Sequence, residues 1–402
     1  MNDRSNDKSI NGPVNCVRLE GNINDIDKVL YLFMDIHMSI DRQTECANIR
    51  SIDIKDYLIK QFDNLVESKS NKMLDFLFEI KPSYINQDSS MYKMKYIHEV
   101  TKLFKDQFNL KGPNFPNIRL HYMDVRDYLQ YGANGYFNDI EEILNVMWQD
   151  MAININMLNI LNENVDKIHD RLVFIKLNLY EKIDTKSINK KLKIIPDKNI
   201  NMTEKDIDEI AKLILYKIRF QYKFQNVGDI MNNIINDDVK KIFYRIESAY
   251  DEIIKLIKEY KKIITNDGSK FNYDENIGGI YGLFPNQIRE MIFKIHNTFD
   301  IFENLWIKLF VMITDVYFMR RFIDKDYITN CIAYTGIYHS VDYIFYLVKY
   351  FNFKITHYSK INDKNWENII KSKNNPSDIQ YLFFPKQFIQ CVDLESFPNN
   401  FE

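Results

Sequence analysis

Only seven of the 402 residues are histidines, and two of them close short apolar runs: His37 ends "YLFMDIH" and His339 ends "CIAYTGIYH". Two further runs finish in charge. Glu79 stands in "LDFLFEI", and Asp124 is followed two residues later by Arg126 in "RLHYMDVR". Apolar strands more often run out into Asn, Ser or Gly turns, so imidazoles, carboxylates and a guanidinium at four strand ends form a set that can do chemistry. Two chemistries fit. Neutral imidazoles and a carboxylate can ligate a divalent metal ion, whose bound water becomes nucleophilic near neutral pH. A histidine held by a carboxylate can instead move protons for hydrolysis without metal.

The expected catalytic residues are His37, Glu79, His339 and Arg126, and His37, Glu79 and His339 are the ligand set if the cofactor is a divalent metal. Arg126 and Tyr338 are the expected substrate contacts, Arg126 holding an anionic group or a developing negative charge. Asp35, Asp124 and Gly336 would support them from behind. Asp35 orients His37, Asp124 shares a strand face with Arg126, and Gly336 permits the turn that aims His339 back across the sheet edge. Each residue also has a plain structural reading. His37 can cap a turn, Glu79 can pair with Lys81, Arg126 can pair with Asp124 or Asp127, and His339 can sit idle in a loop. His121, inside its strand, reads as packed.

Such residues need a sheet to bring them together. "KVLYLFMDIH" has the length and near-continuous apolarity of a strand buried on both faces. A helical spacing of Ile54, Tyr57, Leu58, Phe62 and Leu65 follows, then strand "KMLDFLFEI", helix "MYKMKYIHEVTKLFKDQF" and strand "NIRLHYMDVRDYL". This alternation implies an α/β fold, a mostly parallel sheet with covering helices. From 136 to 325 the period is helical almost throughout, and strand character returns in "DYITNCIAYTGIYHS", "FKITHYS" and "CVDLESFP". The expected division is a disordered tail over 1–13, a first part of the core over 14–135, a large α-helical insertion over 136–325 and a second part of the core over 326–402. Ligands in such sheets bind beyond the carboxyl ends of the strands.

Composition sets outer bounds. With 46% hydrophobic, 14% aromatic and 27% charged residues the chain is globular, and a net charge of −3 gives no general pull towards nucleic acid. The basic stretches "NKKLKIIPDKN" and "KLIKEYKK" are too local to change that. Cys16, Cys46, Cys331 and Cys391 form no close pair, and three lie in strand-like runs, which reads as free thiols in a reducing compartment. The most apolar helix carries Lys308 and Asp315 near its centre, so no membrane span and no leader are expected. The expected location is cytoplasmic. P-loop, dinucleotide, nucleophile-elbow and kinase motifs are absent.

"MDIH", the strand-terminal Glu79 and "GIYH" together resemble the superfamily of erythromycin esterases, ChaN-like haem-uptake proteins and TraB/Tiki proteins. That resemblance implies Met34 to His37 as the early motif, Glu79 as the glutamate and Gly336 to His339 as the late one, with ester hydrolysis, metal-dependent peptide cleavage or haem binding as the activities. Met34 and Asp35 depart from the pattern. The whole chain also resembles uncharacterised proteins of nucleocytoplasmic large DNA viruses, through its "DxH", "FEI", "HYxDVRD", "YxGxYH" and "CVDLxSFP" segments and its Ile-, Asn-, Lys- and Tyr-rich composition. Two functions stand: a metal-assisted or His/Glu-dependent hydrolase acting on a small molecule or peptide, and an inactive enzyme-like fold that serves a viral structure or binds a host protein through its helical region, where Trp148 and Trp306 lie.

Overall fold

The computed structural model of the protein describes residues 8–38, 45–68, 72–80, 96–109, 115–181, 202–387 and 389–401. Residues 1–7 of the expected tail, Lys81 and the basic segment around 189–199 lie outside them. Residues 8–13 are not a tail: Ser9–Asn11 forms a strand, β1, which pairs with residues near both ends of the chain.

β2 (Asn15–Ile23) and β3 (Ile26–Asp35) form a hairpin closed by Asn24 and Asp25. Both turn residues have positive φ, 48° and 65°, the geometry that short polar side chains tolerate best in a two-residue hairpin. Next come β4 (Ile52–Asp53), α1 (Ile54–Glu67), β5 (Leu74–Phe78), α2 (Tyr96–Asn109), β6 (Ile118–Tyr122) and the short α3 (Arg126–Leu129). The helical middle holds α4 (Ala133–Asp150), α5 (Ile155–Tyr180), α6 (Glu204–Phe220), α7 (Gln225–Ile234), α8 (Lys240–Asn266) and α9 (Pro285–Ile323). Three short strands, β7 (Ala152–Asn154), β8 (Asn272–Asp274) and β9 (Gly279–Tyr281), pair within it, where the sequence reads as helical almost throughout. The chain closes with β10 (Asn330–Gly336), α10 (Ile337–Tyr350), β11 (Lys354–Tyr358), α11 (Trp366–Ser372), α12 (Gln380–Phe383) and β12 (Cys391–Asp393).

The six-stranded sheet runs β11-β2-β3-β10-β5-β6. β3, β10, β5 and β6 are mutually parallel, whereas β2 and β11 are antiparallel to their neighbours. The fold is therefore mixed α/β. The expected mostly parallel sheet is met in part, by four of the six strands; β2 departs from it because a tight hairpin can join only antiparallel strands, and β2 enters β3 through one. The last expected strand, β12, joins β1 in a separate small sheet.

Alternation along the strands divides the interior. Leu30, Leu32 and Met34 of β3, Leu77 of β5 and Cys331 and Ala333 of β10 face one core, shared with α4–α10. Tyr31, Phe33, Phe76, Phe78, Ile332 and Tyr334 face the other, packed against α1, α2, Phe397 and Phe401. The sheet is thus covered on both faces, which is why these strands read as unbroken apolar runs. Lys28, fully buried, donates from Nζ to the carbonyls of Phe322, Lys325 and Ile328, tying the end of α9 to β3. Among the described residues no helix is long and apolar enough to cross a membrane.

Candidate functional site

β10 is inserted between β3 and β5, with Gly336 beside Asp35 and Tyr334 beside Phe78. Because these strands are parallel, their carboxyl ends lie on one edge of the sheet, and the residues that follow them converge there. His37 follows β3 and has a left-handed φ of 52°, an uncommon backbone for a non-glycine residue that turns the chain at the strand end. Glu79 follows β5 directly. Asp124 follows β6, and Arg126 opens α3 rather than continuing the strand. His339 lies in the first turn of α10, not in a loop, because the helix begins as soon as β10 ends.

Glu79 is the centre. Its Oε1 lies 3.1 Å from His339 Nε2 and accepts from Arg126 Nη2 at 3.3 Å. Its Oε2 accepts the Gly336 N–H at 2.6 Å and lies 3.6 Å from His37 Nε2. The carboxylate thereby sits at the N-terminus of α10, where the helix dipole favours negative charge. Behind each imidazole stands another carboxyl group: Asp35 Oδ2 is 2.5 Å from His37 Nδ1, and Asp315 Oδ1 is 2.5 Å from His339 Nδ1. Arg126 is gripped by Asp124, at 2.8 Å through Nε and 2.9 Å through Nη2. Gly336 leaves room for the cluster, since a Cβ there would stand 3.2 Å from His37 Nε2.

The electrostatics follow from this packing. Burial works against a charged His37, but hydrogen bonds to Asp35 and Glu79 outweigh it and hold the ring's pKa up at about 10. Burial likewise opposes charge on His339, and Glu79 and Asp315 raise its pKa well above the usual histidine range. Burial pushes the Glu79 carboxyl up, yet the charge of His339, with His37 beside it, takes it well below the ordinary value. These shifts favour the charged forms of both rings and of the Glu79 carboxylate. His37 is the accessible member, with 35% of its side chain exposed against 5% for Glu79 and 7% for His339.

The structure brings His37, Glu79, His339, Arg126, Asp35, Asp124 and Gly336 together. Tyr338 stays apart: its exposed ring packs on Phe384, and no hydrogen bond among the described residues joins it to the cluster. The expected metal triad of His37, Glu79 and His339 meets at Glu79. Among the described residues no group of three or more His, Cys, Asp or Glu side chains is placed to hold a metal ion. The pairing of Arg126 with Asp124 is present as well, and it serves to position the guanidinium. Of the other histidines, His121 pairs with Asp75 at 2.6 Å and with Arg321 at 2.9 Å.

Sequence reasoning missed Asp315 and Gln390. Asp315 is a lone acid in the apolar run "LFVMITDVYF", and a buried carboxylate without a partner is costly enough that one had to exist. Gln390, fully buried, donates to Asp35 Oδ1 at 3.2 Å. The cysteines also differ from expectation, since Cys46 and Cys391 form a disulfide across 345 positions while Cys16 and Cys331 are free and buried. Loop closure by the whole fold, rather than local spacing, brings that pair together.

Residues 8–402 match the family described as "Family of unknown function (DUF5847)". Among relatives, uncharacterized protein R706 of Acanthamoeba polyphaga mimivirus is 38% identical, covering 99% of this chain and 98% of its own. Uncharacterized proteins R161 and R160 of the same virus are 34% and 31% identical, each over 98% of both chains. No solved structure matches. These matches support the giant-virus resemblance and lend nothing to the one with the erythromycin esterase, ChaN-like and TraB/Tiki superfamily.

Proposed function

We propose, from the premise that the chain belongs to the DUF5847 family of giant-virus proteins, that it is a hydrolase whose chemistry depends on His37 and Glu79. The observation that carries this reading is the chain of contacts Asp35–His37–Glu79–His339–Asp315, in which one member, His37, meets solvent. As an imidazolium held by Asp35, His37 donates the Nε2 proton to the departing oxygen or nitrogen. Glu79 takes a proton from the attacking water. When His37 loses its charge, one of the charges that lowers the pKa of Glu79 disappears, so the base strengthens as the acid is spent. Arg126 steadies negative charge on the acyl oxygen. Overall, water adds to the acyl carbon, the bond to the leaving group breaks, and the two protons are redistributed with no redox change.

Purified protein assayed on a panel of ethyl acyl esters should hydrolyse at least one, and His37→Ala and Glu79→Gln should each lower the rate by roughly 10²–10⁴-fold. Full activity in His37→Ala would sink the reading.

A second reading, an enzyme-like fold retained for viral structure or host-protein binding, draws on the β8–β9 region. Leu283 is 74% exposed there, and Phe284, Ile277 and Tyr273 are each more than two-fifths exposed. A stable complex seen by size exclusion that survives His37→Ala but is lost on Leu283→Asp would favour it.

A further inference from the structure

We propose that the Cys46–Cys391 disulfide is a redox latch on this cluster: joined, it keeps Gln390 against Asp35 and so fixes His37, and opened by a dithiol reductant it releases that hold. The proposal rests on the hydrolase reading for its effect on turnover, and adds how the same site is controlled. The bond joins the two stretches of chain that lead to His37. Cys391 directly follows Gln390, which is fully buried and donates from Nε2 to one oxygen of Asp35, whose other oxygen holds the imidazole. Cys46 stands nine residues after His37 itself.

Besides the bond, single hydrogen bonds hold this stretch. The Gln390 carbonyl accepts from the Gly12 N–H at 3.2 Å, the Cys391 carbonyl from Lys360 Nζ at 3.0 Å, and the Cys46 N–H donates to Asn11 Oδ1 at 3.0 Å. The strands alongside are short: β12 pairs with β1 over three residues and β1 with β4 over two, too few for a sheet that stands by itself. Gln390 also sits there at a cost, because its Oε1 is buried and has no hydrogen-bond partner among the described residues. Once the covalent hold opens, that side chain gains by turning towards water. Past Cys391, Val392, Leu394, Phe397 and Phe401 are buried in the core against α1 and α2. Opening the bond therefore frees the stretch at Gln390 and leaves the terminus docked, so the change is local and reversible.

The bond is also within reach of a reductant. Cys46 and Cys391 are both partly exposed, and Ala47 to Arg50 beside Cys46 are exposed. Cys16 and Cys331 are fully buried, and burial pushes both thiols well up from their ordinary value. The thiolate is the attacking species, so these two do not exchange with the bond and the electrons come from outside. One thiolate of a small dithiol attacks a sulfur of the bond and forms a mixed disulfide, and its second sulfur then displaces the cysteine. Cys46 and Cys391 end as thiols bearing the two protons of the dithiol, which leaves as a cyclic disulfide. Two electrons have passed to the protein, and the oxidised dithiol reverses the step.

The probes are reduced and oxidised dithiothreitol, titrated against the full-length protein. The His37 ring resonances, assigned with His37→Ala, are followed by NMR, and free thiols at Cys46 and Cys391 are trapped by alkylation and located by mass spectrometry. The His37 signal should move with the same midpoint as the bond opens and return on reoxidation, while signals from the helical middle stay in place. Gln390→Met keeps the side-chain length and removes the donor, so its bond should still open while its His37 signal stays put. If that variant does not fold, the titration of the natural protein decides. Ester turnover should fall roughly tenfold on reduction. A His37 signal indifferent to the bond, an equal shift in Gln390→Met, or collapse of the whole spectrum on reduction would overturn the proposal. Equal turnover in the two states would overturn it too and leave the hydrolase reading standing. A reversible His37 shift with turnover in neither state supports the latch and overturns the hydrolysis.

Discussion

Gln390 donates its side-chain N–H to Asp35 Oδ1 at 3.2 Å, across 355 positions of the chain. The other oxygen of Asp35 holds His37 Nδ1, and the residue after Gln390 is Cys391, which is bonded to Cys46. The backbone carbonyl of Gln390 also accepts from the Gly12 N–H at 3.2 Å. The accessible histidine of the cluster is thus steadied by the last part of the chain, which a covalent bond and a small sheet keep in place.

Reduction of that bond, or Cys46→Ser, should destabilise the protein by about 2–5 kcal/mol, because a cross-link spanning most of the chain restricts the unfolded ensemble strongly. Urea unfolding with and without reductant measures this. Identical midpoints would mean that the two sulfurs are not joined in the folded protein.

Stability should depend on pH in two limbs. His37 holds its proton to about pH 10 when folded, through Asp35 and Glu79 and against the effect of burial, where the ordinary value is 6.5. Its contribution is complete below about pH 6.5 and is lost as pH rises through 10. Glu79 behaves oppositely: its folded pKa lies well below 4.5, so its contribution is complete above that value and fades as pH falls through the folded pKa. Both count fully between about pH 4.5 and 6.5. Urea midpoints should decline on either side of that window, and His37→Ala should shrink the alkaline limb. His339 supplies the remainder of it, its own folded pKa being raised as well. An alkaline limb untouched by His37→Ala would contradict the assignment.

Gly336→Ala should separate activity from folding. Gly336 has φ −56° and ψ 145°, which alanine adopts freely, but its Cβ would stand 3.2 Å from His37 Nε2 and 3.4 Å from Glu79 Oε2. Ester turnover should fall roughly ten- to a hundredfold as the imidazole is displaced, while stability changes by less than about 1.5 kcal/mol. Turnover and urea midpoints measured on the same preparation decide it. Unchanged turnover would remove His37 Nε2 from the reaction.

Much of the sheet was legible because strand signals are local. "LYLFMD" alternates its side chains between two cores, and "LDFLF" does the same, so both faces had to be covered whatever the topology. The strand-end rule then found His37, Glu79, Asp124 and Arg126. It named His339 as well but set it in a loop, since the start of a helix immediately after Gly336 looks like a glycine-containing loop when only the strand is visible. It passed over Asp315, whose meaning lies in the facing imidazole of α10 and not in its own helix.

By itself the sequence determined which segments extend, which coil, and which polar groups are left at the ends of apolar strands. These follow from periods of two and 3.6 residues and from the cost of burying charge. Only the tertiary structure decided that β10 slips between β3 and β5, that Asp315 serves His339, and that Cys46 meets Cys391. Such partnerships join positions tens to hundreds of residues apart. They depend on the order of strands in the sheet, which no local pattern of side chains encodes.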